Sequence, residues 1–252
     1  MRLNILIGGK AGQGINKISE IVSSVLVEYG YFTFNYRDYP SLIRGGHNFN
    51  VLSVSDKRIG SIESKLDVII AMDENTLKIH KKDLKSKGVV IGLNGFQDLG
   101  RNLNVAQAGA LIKVLGIDKK ILIDEIENQF HNKESNAAAE KGYDSQKEKF
   151  NLKKLDNKIS IKTGTQAVAQ GAINSKIDLC IAYPMTPSTG VLHELAGKAE
   201  KQGFRVFQPE NEIAVVNSAI GASFTGAKTL IGTSGGGYDL MCEGLSFQGQ
   251  SE

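Results

Sequence analysis

Cysteine is scarce in this chain. Cys180 and Cys242 are the two present, far apart and outside any C-x-x-C pair. Iron–sulfur clusters are usually held by four thiolates, so a chain with two cannot house one alone. Both cysteines are expected to be small buried apolar residues. Long apolar runs are missing as well, which excludes a bilayer-spanning helix of ordinary length. The opening Met1–Gly8 is too short, and too soon broken by glycine, for a signal peptide. These absences place the protein in the cytoplasm. Charge of one sign is also lacking: 30 basic and 27 acidic residues are interspersed, leaving a net charge of only +3. Nothing forms the one-sided basic stripe of a nucleic-acid binder.

What remains is ordinary globular composition, 41% hydrophobic and 23% charged, over a length that allows one or two domains. The first part alternates strand-like and helix-like segments. Asn4–Ile7 reads as a buried strand, followed by a glycine-rich loop, Gly8–Gly14. Ile15, Ile18, Val22, Val25, Leu26 and Tyr29 then recur at helical spacing, and Gly30 ends the helix. Tyr31–Tyr36 and His47–Val54 read as strands. Leu66–Met72 and Gly88–Leu93 are continuous apolar runs of the kind buried in parallel sheets. Ala106–Leu115 and Ile121–Phe130 read as helices. Strands alternating with helices predict a layered α/β domain over residues 1–131.

From Asn132 to Lys158 the apolar residues thin out, and Lys, Glu, Asp, Asn and Gln dominate. Residues 132–158 are therefore expected to be a solvated helix or mobile linker marking a domain boundary. The alternation resumes in a second domain, residues 159–252. Thr163–Asn174 reads as helix and Asp178–Ala182 as strand. Ser188–Gln202 reads as one helix, with Thr186 and Ser188 available as caps. Phe204–Phe207 is a strand, Asn211–Phe224 a helix of small residues, and Thr229–Gly232 a strand. Thr233–Gly237 reads as a glycine turn before a last helix near Tyr238. Three parallel strands make a thin domain, which suggests a fragment, a split gene or obligate packing on a partner.

The N-terminal glycines invite comparison with phosphate-binding loops, which set backbone N–H groups at a helix start. Gly12-x-Gly14-x-x-Lys17 lacks the third glycine of the dinucleotide fingerprint. Gly9 and Gly14 have P-loop spacing, but Ile15 and Asn16 stand where lysine and a hydroxyl are needed. A nicotinamide- or flavin-binding domain, with Asp38 as a ribose-binding acid, stays open beside a plain tight turn. The loop Tyr39–His47, with Pro40, Arg44, Gly45, Gly46 and His47, reads equally as functional and as a solvent- or partner-facing connection.

Three segments each follow a predicted strand: Tyr183-Pro184-Met185-Thr186-Pro187-Ser188-Thr189, Gln208-Pro209-Glu210-Asn211-Glu212-Ile213-Ala214 and Gly232-Thr233-Ser234-Gly235-Gly236-Gly237. Open parallel sheets bind ligands at the carboxyl edge. In these residues the chain resembles the α subunits of the 2-oxoacid:ferredoxin oxidoreductases that carry a fused N-terminal γ-type domain. The first domain is similar to that γ-type domain, through Gly8–Gly14 and Tyr39–His47. The second is similar to a thiamine diphosphate pyrimidine-binding domain. The implied fold is two layered α/β domains with mainly parallel sheets.

The resemblance assigns roles. Glu212, with Glu210 its nearby competitor, matches the glutamate that hydrogen-bonds the aminopyrimidine ring and favours its imino tautomer, which then deprotonates the thiazolium carbon. Its other reading is an acid stabilising a helix N-terminus. Thr186 matches a threonine that hydrogen-bonds the substrate carboxylate. Tyr183 and Pro184 shape that loop, and Thr233, Ser234 and Gly235 line the cofactor pocket; for Thr233 and Ser234, helix capping is an equal reading. The family's β subunit would supply Mg²⁺, the diphosphate site and the iron–sulfur cluster, and no metal ligand is expected here. Ferredoxin, a 2-oxoacid and coenzyme A are the implied partners, and a heterodimer the implied assembly. The family's α subunit continues past the last of these motifs, so the chain is expected to be C-terminally truncated, and a non-catalytic assembly fragment is the rival reading.

Overall fold

The first apolar run is the middle of β1 (Arg2–Lys10), a strand buried on both faces. It sits at the centre of a five-stranded sheet of order β2-β3-β1-β4-β5, with β2 (Phe32–Asp38), β3 (His47–Ser55), β4 (Leu66–Ala71) and β5 (Leu84–Ile91). The computed structural model describes residues 1–38 and 46–251. β3 runs antiparallel to both β1 and β2, while β4 is parallel to β1 and β5. The spacing explains the difference: the few residues between Asp38 and His47 are too short for a parallel crossover, which takes a dozen or more. A second sheet, of order β7-β6-β8, is wholly parallel. Four of the six strand pairs are therefore parallel, as the mainly parallel expectation has it. The two sheets belong to two compact units, Met1–Ile161 and Lys162–Glu252. Among the described residues no helix is long and apolar enough to cross a membrane.

In the first unit, α1 (Ile15–Glu28) lays Ile18, Ile21, Val22, Val25 and Leu26 on one face of the sheet. α3 (Leu103–Leu115) is apolar around its whole circumference because it touches α1, α4 (Lys119–Phe130) and α5 (Lys133–Asp144) at once. On the other face Leu6, Val51 and Ile69 form a smaller cluster with Leu77 of α2 (Glu74–His80).

The linker expectation for residues 132–158 is corrected. Ser135, Ala138, Ala139 and Gly142 make a buried stripe on α5 that fits against α3. A Cβ at Gly142 would overlap the carbonyl oxygen of Ala106 and lie 2.6 Å from its carbon, and one at Gly109 would overlap the carbonyl oxygen of Ala139. The helices touch backbone to backbone. Beyond α5 the chain has neither helix nor strand up to α6 and is bonded to the same unit. Leu152 N donates to Leu115 O at 2.9 Å, Leu155 N to Tyr29 O at 3.0 Å, and the Tyr31 hydroxyl to Lys153 O at 3.0 Å. Small residues carry little hydrophobic signal, yet they allow the closest helix approach, so a low apolar count did not mean solvent exposure.

The glycine-rich loop is also shorter than expected, since Gly8 and Gly9 belong to β1. A Cβ at Gly8 would lie 2.6 Å from Thr76 Cγ2, and one at Gly9 2.8 Å from Met72 Cβ. These glycines serve close packing, and Gly12 and Gly14 take φ values of 90° to turn into α1.

In the second unit, residues along β6 (Leu179–Ala182) alternate between two helical layers. Cys180 and Ala182 face α6 (Gly164–Asn174) and α7 (Thr189–Ala196). Ile181 faces α9 (Glu212–Phe224) and α10 (Gly235–Ser251). β7 (Arg205–Phe207) and β8 (Thr229–Gly232) flank β6. Thr163 closes a capping box with Gln166. The single helix expected over Ser188–Gln202 is broken at Gly197 into α7 and α8 (Ala199–Gln202), and neither Thr186 nor Ser188 caps it: the Ser188 hydroxyl donates to Met185 O at 2.8 Å. The Gly235-Gly236-Gly237 run is not a turn but the first turn of α10. Cys180 is buried, and burial pushes its thiol up to about 11. Cys242, expected to be buried, is exposed on α10.

Candidate functional site at the carboxyl edge of the second sheet

Three parallel strands end on one edge, and each hands the chain to a helix. β6 leads through residues 183–188 into α7, β7 through residues 208–211 into α9, and β8 through Thr233 and Ser234 into α10. This is where ligand-binding groups gather in open α/β sheets.

Glu212 opens α9. Asn211 takes the cap, its side chain accepting from Ala214 N at 2.9 Å, so the capping need is met without Glu212. The Glu212 side chain is 6% exposed. Among the described residues its carboxylate has no hydrogen-bond or ion-pair partner in the protein. Its stem is buried while the carboxylate oxygens keep contact with solvent; a helix start favours a negative charge there, and the oxygens are free to accept from a ligand N–H. Glu210, two residues earlier, is exposed on the loop.

Thr233 lies beside Glu212, because both border Gly237. A Cβ built at Gly237 would overlap Thr233 Oγ1 and lie 2.9 Å from Glu212 Cγ and 3.1 Å from Glu212 Oε1. The first loop reaches the same place through Met185, whose Sδ lies 3.8 Å from Thr233 Oγ1. Met185 Cε would be 3.9 Å from a Cβ at Gly236. Of the residues singled out in the sequence, Glu212 and Thr233 are thus brought together. Tyr183 and Thr186 are exposed on the first loop, Pro184 is half-buried there, and Thr186 has no side-chain hydrogen bond among the described residues. The Ser234 carbonyl accepts from Tyr238 N at 2.8 Å, joining the first turn of α10, and Gly235 is exposed. Capping by the Thr233 hydroxyl does not occur, since its partner is the Met185 sulfur. Sequence reasoning passed over Met185 and Gly237 as individual residues. The signal for Gly237 was a third consecutive glycine, more than a turn requires.

In the first unit, His47 is half-buried, with Nε2 2.9 Å from Nε2 of His80 and its ring stacked on Phe49. Burial, and then the neighbouring His47, hold the His80 imidazole below the ordinary histidine range. Tyr39 to Gly45, including Arg44, lie outside the described residues.

Residues 4–99 match the family described as pyruvate ferredoxin/flavodoxin oxidoreductase, and residues 170–252 match the one described as pyruvate flavodoxin/ferredoxin oxidoreductase, thiamine diP-binding. A 2-oxoacid:ferredoxin oxidoreductase subunit alpha from a Sulfolobus species is 27% identical, across 100% of this chain and 53% of that protein. The 2-oxoglutarate synthase subunit KorA of Archaeoglobus fulgidus is 39% identical over 89 residues, 35% of this chain and 26% of its own. Among solved structures, the 2-oxoglutarate:ferredoxin oxidoreductase from Magnetococcus marinus with 2-oxoglutarate, coenzyme A and succinyl-CoA bound superposes with a TM-score of 0.79. It is 22% identical, and the match covers 95% of this chain and 49% of that one. The chain spans about half the length of the full-length relatives it matches. Both matches fall in this order along one chain, and the α-subunit relative aligns with all of it, so the chain is similar throughout its length to the first half of the 2-oxoacid:ferredoxin oxidoreductase α subunits.

Proposed function

We propose that this chain supplies the pyrimidine-binding half of a thiamine diphosphate site in a 2-oxoacid:ferredoxin oxidoreductase. A β-type partner would hold Mg²⁺, the diphosphate and the iron–sulfur cluster. The reaction takes a 2-oxoacid and coenzyme A to an acyl-CoA and CO₂, and passes two electrons to ferredoxin. The observation that carries the reading is Glu212, a largely buried residue whose partnerless carboxylate opens at the carboxyl edge of a parallel sheet.

The residues fit the cofactor in kind. An aminopyrimidine presents ring nitrogens and an amino group along one edge, and a carboxylate without a protein partner is the acceptor such an edge needs. Bound thiamine diphosphate supplies an electron sink for the departing carboxylate. Glu212 would face the ring nitrogen and share a proton with it, the hydrogen bond lying between its carboxyl oxygen and that nitrogen. Thr186, exposed on the loop after β6, has a free hydroxyl to offer a substrate carboxylate. Tyr183 and Pro184 shape that loop, Thr233 borders Glu212, and Ser234 and Gly235 follow it into α10 as the remaining lining of the cofactor pocket. In the first unit Gly8 and Gly9 are accounted for by packing and Gly12 and Gly14 by the turn into α1, and the third glycine of the dinucleotide fingerprint is missing.

Co-purification of the tagged chain from its native cells tests the assembly, with a β-type chain carrying thiamine diphosphate as the expected companion. Within that complex, Glu212→Ala is expected to slow CO₂ release from a 2-oxoacid by at least about a hundredfold, the low end for losing an acid–base group. Glu212→Gln tests whether charge is needed beyond shape. A Glu212→Ala complex that turns over at the wild-type rate overturns the assignment; a chain that binds its partner without turnover favours the assembly-fragment reading.

A further inference from the structure

We propose that Gly237 is a positioning residue for Glu212. The first turn of α10 is kept bare so that the Glu212 stem and the Thr233 hydroxyl can lie against it. The inference rests on the cofactor reading of Glu212 given above. α10 presents two glycines to α9, two helical turns apart. Gly237 faces Glu212, where a Cβ would lie 2.9 Å from Cγ, and Gly244 faces Val216, where a Cβ would lie 2.7 Å from Cγ1. Glu212 and Val216 are themselves one turn apart on α9, so the two glycines form one seam between the helices. The seam closes α10 onto α9 at two levels, and only the upper level touches the site.

The atoms around Gly237 differ in kind from those around Gly142. At Gly142 a methyl group would meet backbone, which cannot yield without moving a helix. At Gly237 it would meet the side-chain atoms Thr233 Oγ1, Glu212 Cγ and Glu212 Oε1. Side chains can rotate away at a cost of about 0.5–1.5 kcal/mol for an off-rotamer χ angle. Gly237→Ala is therefore predicted to leave the fold intact and to turn the Glu212 carboxylate away from its present direction. The Thr233 hydroxyl, whose one protein partner among the described residues is the Met185 sulfur at 3.8 Å, would move with it and disturb the loop after β6. Glycine at 237 thus links two of the three edge loops to the direction of one carboxylate.

The test uses the complex of the full chain with its partner chain, with thiamine diphosphate titrated by calorimetry and the fold followed by circular dichroism and thermal melting. Gly237→Ala is expected to melt near wild type and to bind thiamine diphosphate about ten- to a hundredfold more weakly, the worth of one hydrogen bond to a charged group. Gly244→Ala, two turns further along α10 and against the buried, β-branched Val216 that has no room to rotate away, is expected to lower the melting point and leave thiamine diphosphate affinity unchanged. Glu212→Ala separates the two levels of inference. If Glu212→Ala binds thiamine diphosphate as tightly as wild type, the cofactor reading itself fails. If Glu212→Ala loses affinity while Gly237→Ala keeps it, only the positioning role is overturned. Failure of Gly237→Ala to fold, or an equal loss of affinity in Gly244→Ala, also overturns it, because the glycine would then serve packing alone.

Discussion

Replacing Gly142 by alanine should destabilise the first unit, although alanine is the better helix former. In an exposed helix interior the change would stabilise by about 0.8–1 kcal/mol. In the structure the new Cβ would overlap the Ala106 carbonyl oxygen and lie 2.6 Å from its carbon and 2.8 Å from its Cα. Carbon atoms rest at about 3.5–4.0 Å, so α5 must retreat from α3 by on the order of 1 Å. Overpacking of this kind costs about 1–3 kcal/mol, toward the upper end where backbone resists. The retreat also loosens the contacts of Ser135, Ala138 and Ala139, whose dispersion attraction falls by about a quarter to a half across a gap of that size. The loss outweighs the propensity gain, leaving a net destabilisation of about 1–2 kcal/mol. Urea denaturation of the full chain, with amide exchange of α3 identifying the unit that responds, reads the sign directly. A stabilisation of about 1 kcal/mol would mean that α5 stands in solvent and would refute the close α3–α5 contact.

Two further outcomes follow from titratable groups. His80 is held in its neutral form by burial and by His47. The unfolded chain therefore binds the proton first as pH falls through about 6.5, the ordinary histidine value. Stability is fully present above that value and is lost as pH falls toward the lower folded value. Denaturation midpoints at pH 7 and pH 5 should differ more in wild type than in His80→Gln, and equal differences would remove His80 as the cause. The two thiols should also separate chemically. Cys180, buried with its thiol raised to about 11, should not react with a thiol reagent near pH 8, while exposed Cys242 should. One reacting thiol per native chain is expected and two after unfolding; two in the native chain would contradict the burial of Cys180.

How much of this could be read in advance depended on residue size. The buried strands announced themselves, since Leu66–Ala71 and Leu179–Ala182 are runs of large or β-branched residues between two covering layers. The antiparallel run of β3 was not read from the sequence, although the short connection before His47 excludes a parallel crossover. The edge loops were found because proline, glycine and carboxylates stand out where strands end. Features made by small residues were missed. α5 hides its packing face in Ser135, Ala138, Ala139 and Gly142. The break at Gly197 lies in a stretch that reads as continuous helix. Three glycines at the start of α10 read as a turn because glycine is a poor helix former, whereas one of them is dictated by a neighbour, Glu212. The exposed Cys242 shows the opposite limit: residue type gives a preference for burial, but which side of α10 faces the sheet is set by Gly237 and Met241.

The irregular run after α5 carries a consequence for synthesis. It bonds the end of α1 through Leu155 N to Tyr29 O and Asn157 Nδ2 to Gly30 O, partners separated in sequence by about half the chain. A Cβ at Gly30 would lie 2.8 Å from the Leu155 carbonyl carbon, so the fit at that closing point is tight. On a ribosome that delivers the chain from its N-terminus, the sheet of the first unit can pair as soon as β5 has emerged, but its last seal waits for residues 149–157. Until then Tyr29 O and Gly30 O lack these partners, and the core beneath Tyr31 stays uncovered. The charged stretch that looks like a spacer in the sequence is thus the last segment to join the first unit.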